Sequence, residues 1–173
     1  MYASTGEEPF RPSRQLEAKS KLASSAGRPE RVGTDTDENS FVLTRIHHVG
    51  IAVADLDESI GLYRAALGAE LVHRQVNEKE GLEAAFLRTG EGEIELMSPT
   101  RSESPVGKFL AKRGPGLHHV AFGVTDIGKA LADARAAGCE LIDAEPRMGM
   151  HGSLIAFVHP KSLGGVLTEF VET

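Results

Sequence analysis

Apolar and polar residues alternate regularly from about residue 44 to the end of the chain. Residues 46–54 alternate with a period of two, which predicts a strand. Residues 55–68 change to helical spacing, with an aspartate, Asp55 or Asp57, able to cap the start and a glycine able to end the helix. A loop, a short helix around 106–112 and a Gly-Pro-Gly turn come later. Three more strands are predicted in between, near residues 70–76, 82–89 and 93–98.

The same pattern repeats at a constant offset of 71 residues (117 minus 46). Residues 46–55 match residues 117–126, and both segments contain His-His-Val followed by alternating apolar and small residues. Self-similarity of this kind indicates a duplicated unit of supersecondary structure. The predicted fold is therefore α+β, with two tandem βαβββ modules that form one curved mixed sheet with helices on its outer face. The modules are predicted over about 44–98 and 116–172.

Residues 1–42 lie outside the repeat and differ from it in composition. They are rich in Ser, Gly, Pro and charged residues, with almost no periodic apolar positions. Such a segment buries too little apolar surface to offset its ordering entropy, so we predict a flexible N-terminal tail and a folded domain over 43–173. An organelle address is disfavoured because transit peptides are poor in acids. The acids here include Glu7, Glu8, Glu17 and Glu30.

Composition narrows the functional classes further. Of the 173 residues, 40% are hydrophobic, which is enough for the packed core of one domain. The net charge of −6 disfavours nucleic acid as a partner, because phosphate binding needs a basic surface. No apolar run approaches the roughly 18 residues of a membrane span. Cys139 is the single cysteine, so no intrachain disulfide can form, and we predict a reducing, cytoplasmic compartment.

Two histidines occupy equivalent positions in the two first strands. Strand alternation turns His48 and His119 toward the face that carries small residues, which leaves space for a metal and a substrate. The small residues are Gly50, Ala52, Ala121 and Gly123. A single histidine in a strand is more often structural than a ligand, but a repeated pair beside small residues favours ligation. The adjacent His47 and His118 are predicted to lie on the other face and to be structural.

Acidic residues occupy the last predicted strand of each module. Glu93 and Glu95 alternate with apolar residues, so both are predicted to face the concave side. Glu169 stands in an apolar strand, where a lone carboxylate is costly unless it is paired or bound to a metal. We interpret Glu93 as a solvated edge charge and Glu95 as either a ligand or an acid beside the ligands. Two histidines with one or two carboxylates suit Zn, Co, Ni, Mn or Fe(II).

These motifs resemble the vicinal oxygen chelate superfamily and, within it, the methylmalonyl-CoA epimerases. The superfamily pattern is His-His-Val in each half together with Glu169, and the resemblance covers about residues 44–172. More specific motifs are Ser-Pro-Val-Gly-Lys-Phe-Leu-Ala-Lys at 104–112 and Glu-Pro-Arg-Met-Gly at 145–149. The most diagnostic motif is His-Pro-Lys-Ser-Leu-Gly-Gly-Val-Leu-Thr-Glu at 159–169, which glyoxalase I does not usually carry.

The resemblance implies the vicinal oxygen chelate fold and an isomerase that interconverts the (R) and (S) epimers of methylmalonyl-CoA. It implies that His48, His119 and Glu169 hold a divalent metal, either Co, Zn, Mn or Ni, and that Glu169 is also one catalytic base. A metal there would stabilise a thioester enolate as a Lewis acid, while a carboxylate on each side of the α-carbon moves the proton. The expected partners are an acyl-CoA thioester and a second copy of the chain.

Substrate contacts are predicted at two places. Gly149, His151 and Gly152 lie in a glycine-rich loop whose backbone N–H groups could meet the substrate carboxylate, and this loop could close over a ligand. Lys161 is one of several basic residues near the predicted mouth that could attract the phosphates of coenzyme A. The others are Lys108, Lys112 and Arg113.

The second acid–base residue is the point at which the resemblance weakens. Some bacterial members place a glutamate three residues after the glycine that opens the third strand. Here that glycine is Gly81 and the matching residue is Ala84. Glu83 is the neighbouring acid, but alternation turns it to the opposite face. Glu95 stands where some members have glutamine, and we predict that it is a ligand or supplies the missing acid–base function.

Other functions share these residues. A glyoxalase-I-like lactoylglutathione lyase would use the same metal arrangement and enediolate chemistry, and a related acyl-CoA epimerase would use the same motifs. An extradiol dioxygenase would use two histidines and a glutamate for Fe(II), but it would need further His or Tyr residues in the pocket, and none is clearly placed. A non-catalytic binding module of this fold generally lacks the metal ligands, so their retention argues against that class.

Overall fold

The computed structural model describes residues 42–173. Its first half comprises β1 (Leu43–Ala52), α1 (Leu56–Leu67), β2 (Glu70–Asn77), β3 (Leu82–Thr89) and β4 (Gly92–Pro99). After α2 (Pro105–Arg113), the second half comprises β5 (Gly116–Val124), α3 (Ile127–Ala136), β6 (Arg147–Met148), β7 (Leu154–Val158) and β8 (Thr168–Glu172). The predicted N-terminal tail lies outside the described residues, apart from Val42, which packs in the core.

The eight strands of the described region form one mixed sheet in the order β2-β3-β4-β1-β5-β8-β7-β6. In each half the first strand pairs in parallel with the last, as β1 with β4 and β5 with β8. The halves meet where β1 and β5 run antiparallel. The predicted α+β fold, with two modules sharing one mixed sheet, is therefore confirmed. The second module is less regular than the first. Its second strand, β6, is only two residues long, and Leu141 forms a single isolated bridge with Val158.

The helix boundaries follow from local capping in both modules. The side chain of Asp55 accepts a hydrogen bond from the N–H of Glu58 at 2.8 Å, and that of Asp126 accepts one from Lys129 at 2.8 Å. These bonds satisfy N–H groups that a helix start leaves without a partner. Gly68 ends α1 in the left-handed conformation, at φ 65°, which a glycine adopts without strain. The predicted start and end of α1 are confirmed.

Apolar clusters hold the helices against one face of the sheet. In the first half, Leu56 and Ile60 of α1 pack against Leu96 of β4. In the second half, Leu131 of α3 packs against Val158 of β7. Burial of each such side chain contributes about 1.5–3 kcal/mol. Helices α1 and α3 therefore cover the outer face, whereas Val106 of α2 packs with Phe86 and Met97 on the opposite, concave face, which is left for a site. Among the described residues, no helix has the length and apolar character needed to cross a bilayer.

Candidate metal centre and active site

Four polar side chains converge on the concave face where the two modules meet. His48 lies on β1, Glu95 on β4, His119 on β5 and Glu169 on β8. These four strands are consecutive in the sheet, in the order β4-β1-β5-β8, so the two carboxylates flank the two imidazoles. All four residues are at most 7% exposed. Polar groups buried to this extent need partners, because an unpaired buried charge is strongly destabilising.

The donor atoms of these side chains lie at the spacing of metal ligands. The Nε2 atoms of His48 and His119 are 3.0 Å apart. Oε2 of Glu169 is 3.2 Å from each of them, and Oε2 of Glu95 is 3.5 and 3.4 Å away. Ligands about 2.1 Å from a metal are about 3.0 Å apart at a right angle and about 3.4 Å apart at the tetrahedral angle. His48, Glu95 and His119 already form a group able to hold an ion, and Glu169 completes it.

The electrostatics of the site favour positive charge. Burial would lower the pKa of His48, but hydrogen bonds with Glu169 and Glu95 raise it to about 9. Burial would raise the pKa of Glu169, but hydrogen bonds from His119 and His48 lower it to about 2. Ligands bind metals in their deprotonated forms, so the same side chains would neutralise a divalent ion. Imidazole and carboxylate together suit Zn, Co, Mn or Ni.

Small residues give the two imidazoles their space. Gly50 lies opposite His119 in the β1–β5 ladder, and a Cβ at position 50 would lie 2.1 Å from Cε1 of that ring. Ala52 and Ala121 are fully buried on the same strands. Gly123 has a different role, because a Cβ there would lie 2.6 Å from a threonine hydroxyl oxygen of β1. Only glycine at position 50 therefore lets His119 occupy the centre.

His47 and His118 lie beside His48 and His119, not on the opposite face as predicted. The β1–β5 register slips by one residue at His47 and again at His118, so each is the extra residue of a β-bulge. A bulge re-aims side chains, which places His47 beside His48 and His118 beside His119. The Nδ1 atoms are 2.9 Å apart in the first pair and 3.1 Å apart in the second. Alternation failed here because it assumes one residue per position of the ladder.

The pKa values of both flanking histidines lie below the ordinary value of an imidazole. Burial, and then the charge of His119, lowers the pKa of His118 to about 4. Burial, and then the charge of His48, lowers the pKa of His47 below its ordinary value. A neutral imidazole keeps one nitrogen with a lone pair, so each flanking ring can accept a hydrogen bond.

The four convergent side chains line a cavity of about 930 Å³. Its walls are largely apolar, and two rings stand edge-on to the histidines. The ring of Phe86 lies 5.9 Å from that of His48, and the ring of Phe157 lies 5.7 Å from that of His119. Further apolar lining residues are Leu82, Met97, Val106, Ile155 and Val171. A cavity of this size with a few convergent polar groups is typical of a small-molecule site.

The predicted substrate residues are placed less centrally. Gly149 lines the cavity, although its N–H already donates to a carbonyl oxygen of the same loop at 2.9 Å. His151 lies in the short 3₁₀ turn that follows. Gly152 and Lys161 are exposed, and within residues 42–173 neither borders this cavity. The same holds for the basic residues of α2, namely Lys108, Lys112 and Arg113.

The positions considered for a second acid lie on the strand faces that were predicted for them. Ala84 is fully buried on the concave side, so this position offers no acid. Glu83 lies on the outer face, where its Oε1 accepts a hydrogen bond from Nε of Arg74 at 2.7 Å. Glu93 is half-buried at the cavity wall. Glu95 is therefore the carboxylate that, together with Glu169, reaches the two imidazoles.

Sequence reasoning missed an ion pair between the two modules. Arg147 pairs with Glu80, and both residues line the cavity. Arg147 also pairs with Asp143 at 3.4 Å, and its guanidinium lies 5.5 Å from the ring centroid of Phe157. Arg147 belongs to the motif at 145–149, but its partner is 67 residues away. No rule of spacing links such a pair before the sheet order is known.

The fold and the convergent site match one family of proteins. The chain belongs to the glyoxalase/bleomycin resistance protein/dioxygenase superfamily, whose family model matches residues 47–157. This confirms the predicted resemblance at the level of the superfamily.

Individual relatives narrow the comparison. The chain is 36% identical over 130 residues to the ethylmalonyl-CoA/methylmalonyl-CoA epimerase of Cereibacter sphaeroides, which covers 74% of this chain and 97% of that protein. It is 41% identical to the methylmalonyl-CoA epimerase of Mycobacterium tuberculosis in its crystal structure, with a TM-score of 0.74 over 78% of this chain and 91% of that one. A methylmalonyl-CoA epimerase in complex with methylmalonyl-CoA and NH4+ is 47% identical, with a TM-score of 0.73 over 76% and 95% of the two chains.

Proposed function

We propose that this protein is a metal-dependent isomerase that interconverts the (R) and (S) epimers of methylmalonyl-CoA. The observation that carries the proposal is the convergence of two imidazole nitrogens and two carboxylates in one apolar-walled cavity. Similarity to epimerases, one of them in complex with methylmalonyl-CoA, supports an acyl-CoA thioester as the substrate. The homodimer and the cytoplasmic location stay predictions.

The proposed mechanism divides the work among the four side chains. His48, His119, Glu169 and Glu95 would hold the ion, which when bound supplies Lewis-acid stabilisation for charge on the thioester oxygen. A carboxylate has two oxygens, so Glu169 can ligate through one and take the α-proton with the other. Glu95 reaches the centre from the other side of the imidazole pair, which suits return of a proton to the opposite face of the α-carbon. The apolar side chains beside the imidazoles, such as Phe86 and Phe157, would reduce contact of the reacting atoms with water.

Deuterium exchange tests this function directly. In heavy water, the metal-loaded protein should catalyse the incorporation of deuterium at C2 of methylmalonyl-CoA, because epimerisation passes through loss of the C2 proton. NMR or mass spectrometry follows the exchange. Propionyl-CoA is the matched control, since it lacks the carboxylate of the proposed chelate and should exchange no faster than in buffer. A lactoylglutathione lyase or a dioxygenase would show no such exchange. Absence of exchange with metal-replete protein would therefore contradict the proposal.

Glu95→Gln separates the acid–base role of this residue from ligation. The amide keeps an oxygen for the metal but cannot take up or return a proton, so we expect epimerisation to fall by about 10²–10⁴-fold with the metal content retained. Chiral analysis of the product and elemental analysis of the protein measure the two effects. Glu83→Gln is the control, because it makes the same chemical change on the outer face of the neighbouring strand β3, away from the cavity. Full activity and full metal content in Glu95→Gln would rule out the acid–base role.

A further inference from the structure

Two hydrogen bonds between adjacent histidines support the centre from outside. Nδ1 of His47 lies 2.9 Å from Nδ1 of His48, and Nδ1 of His118 lies 3.1 Å from Nδ1 of His119. The rings of both pairs are close to perpendicular, at 77° and 84°. Neighbours in a regular strand point to opposite faces and cannot make this contact. Both β-bulges therefore have the same consequence, one in each module.

The chemistry of imidazole gives these bonds a direction. The Nε2 atoms of His48 and His119 point to each other and to the two carboxylates. A ring that ligates through Nε2 carries its proton on Nδ1 and must donate it. The atom within reach is Nδ1 of the flanking histidine, which accepts when its own proton is on Nε2. Each bond thus selects one tautomer of the ligand and fixes the rotation of its ring.

We propose that His47 and His118 are positioning residues, which hold His48 and His119 in the tautomer and orientation that present Nε2 to a divalent metal. The inference rests on the proposed metal centre and goes beyond its four ligands. His118 is itself held in place, because its ring lies 4.9 Å from the ring of Phe109 on α2. Partners of this kind outside the ligand set commonly change metal affinity or activity by 10–100-fold.

Substitution by asparagine and by glutamine separates this role from simple packing. The amide oxygen of asparagine can occupy the place of Nδ1, whereas the longer side chain of glutamine carries its amide to the place of Nε2. We expect His118→Gln and His118→Leu to weaken Co²⁺ binding by about 10–100-fold, while His118→Asn stays within about threefold of the wild type. Competition with a chromophoric chelator measures the affinity without substrate. The visible spectrum of bound Co²⁺ reports whether the ligand geometry is kept.

The same series at His47 keeps the test valid if variants of His118 fail to fold. Far-UV circular dichroism checks the folding of each protein. His159→Gln is the control, because this histidine does not border the cavity and caps a short turn instead. It should bind Co²⁺ like the wild type. Equal Co²⁺ affinities of the Asn and Gln variants at both positions would overturn the inference, even in an active epimerase. The expected Asn–Gln difference in a protein without deuterium exchange would support the inference and contradict the proposed function.

Discussion

Glu169→Gln is expected to lower epimerisation of methylmalonyl-CoA by about 10²–10⁴-fold, the usual contribution of a general base. Glu169 is 5% exposed, and its Oε2 lies 3.2 Å from both imidazole nitrogens. The substitution keeps the size of the side chain and one oxygen, but removes the negative charge and the proton acceptor. The initial rate with each epimer measures the loss, and elemental analysis reports how much metal remains.

Glu172→Gln is a matched control for this experiment because it changes a glutamate of the same strand. Its carboxylate points away from the centre, where Oε1 accepts a hydrogen bond from the N–H of Ile127 at 3.1 Å. An amide oxygen can still accept that bond, so activity should stay close to that of the wild type and stability should change by only about 0.5 kcal/mol. Glu169→Gln protein that retains wild-type rates and metal content would contradict the assignment of Glu169 as ligand and base.

The parts of the fold that were predictable from sequence are those with local causes. The ends of α1 depend on Asp55 and Gly68, which act within one turn of the helix. The strand faces of His48 and Glu95 follow from alternation, which is also local. The duplication gave the long-range part of the prediction. It indicated that His119 lies in a strand equivalent to the strand of His48. Together these observations predicted that His48, His119 and Glu95 face the same side of the sheet, whereas alternation did not place Glu169, whose role was implied by the resemblance.

The features that sequence reasoning missed depend on how separate strands meet. The bulges at His47 and His118 arise from the register of β1 against β5, and each strand read alone shows only unbroken alternation. The ion pair of Arg147 with Glu80 joins β6 to the β2–β3 turn of the other module. Register and module contacts are set by the whole sheet, so alternation within one strand carries no information about them.

The sheet order also explains how a second acid can exist although Ala84 carries none. Glu95 and Glu169 stand on equivalent last strands of the two modules, and each of these strands pairs in parallel with the strand that carries His48 or His119. The duplication thus places one carboxylate on each side of the imidazole pair. A glutamate on β3 would add a further acid to a cavity that Glu95 and Glu169 already line.

Gly50→Ala is expected to abolish tight metal binding while adding a single methyl group. The new Cβ would lie 2.1 Å from Cε1 of His119, well inside the contact distance of two carbon atoms. Either the ring of His119 leaves the centre or β1 and β5 separate locally, and overpacking of this kind costs about 1–3 kcal/mol of stability. We expect Co²⁺ affinity to fall by about 100-fold or more, since a ligand is displaced rather than reoriented. Chelator competition and thermal unfolding measure the two effects.

Gly61→Ala is the control because the same chemical change then meets no neighbour. Gly61 lies in α1, and a Cβ there has no atom within 4 Å outside its own helix and chain neighbours. Alanine is the better helix former, so this variant should be about 0.5–1 kcal/mol more stable and bind Co²⁺ like the wild type. If the added methyl group weakens Co²⁺ binding at position 50 but not at position 61, the loss of affinity is due to the displaced imidazole of His119. Wild-type Co²⁺ affinity in Gly50→Ala would instead show that this ring is not held at the centre by the close approach of β1.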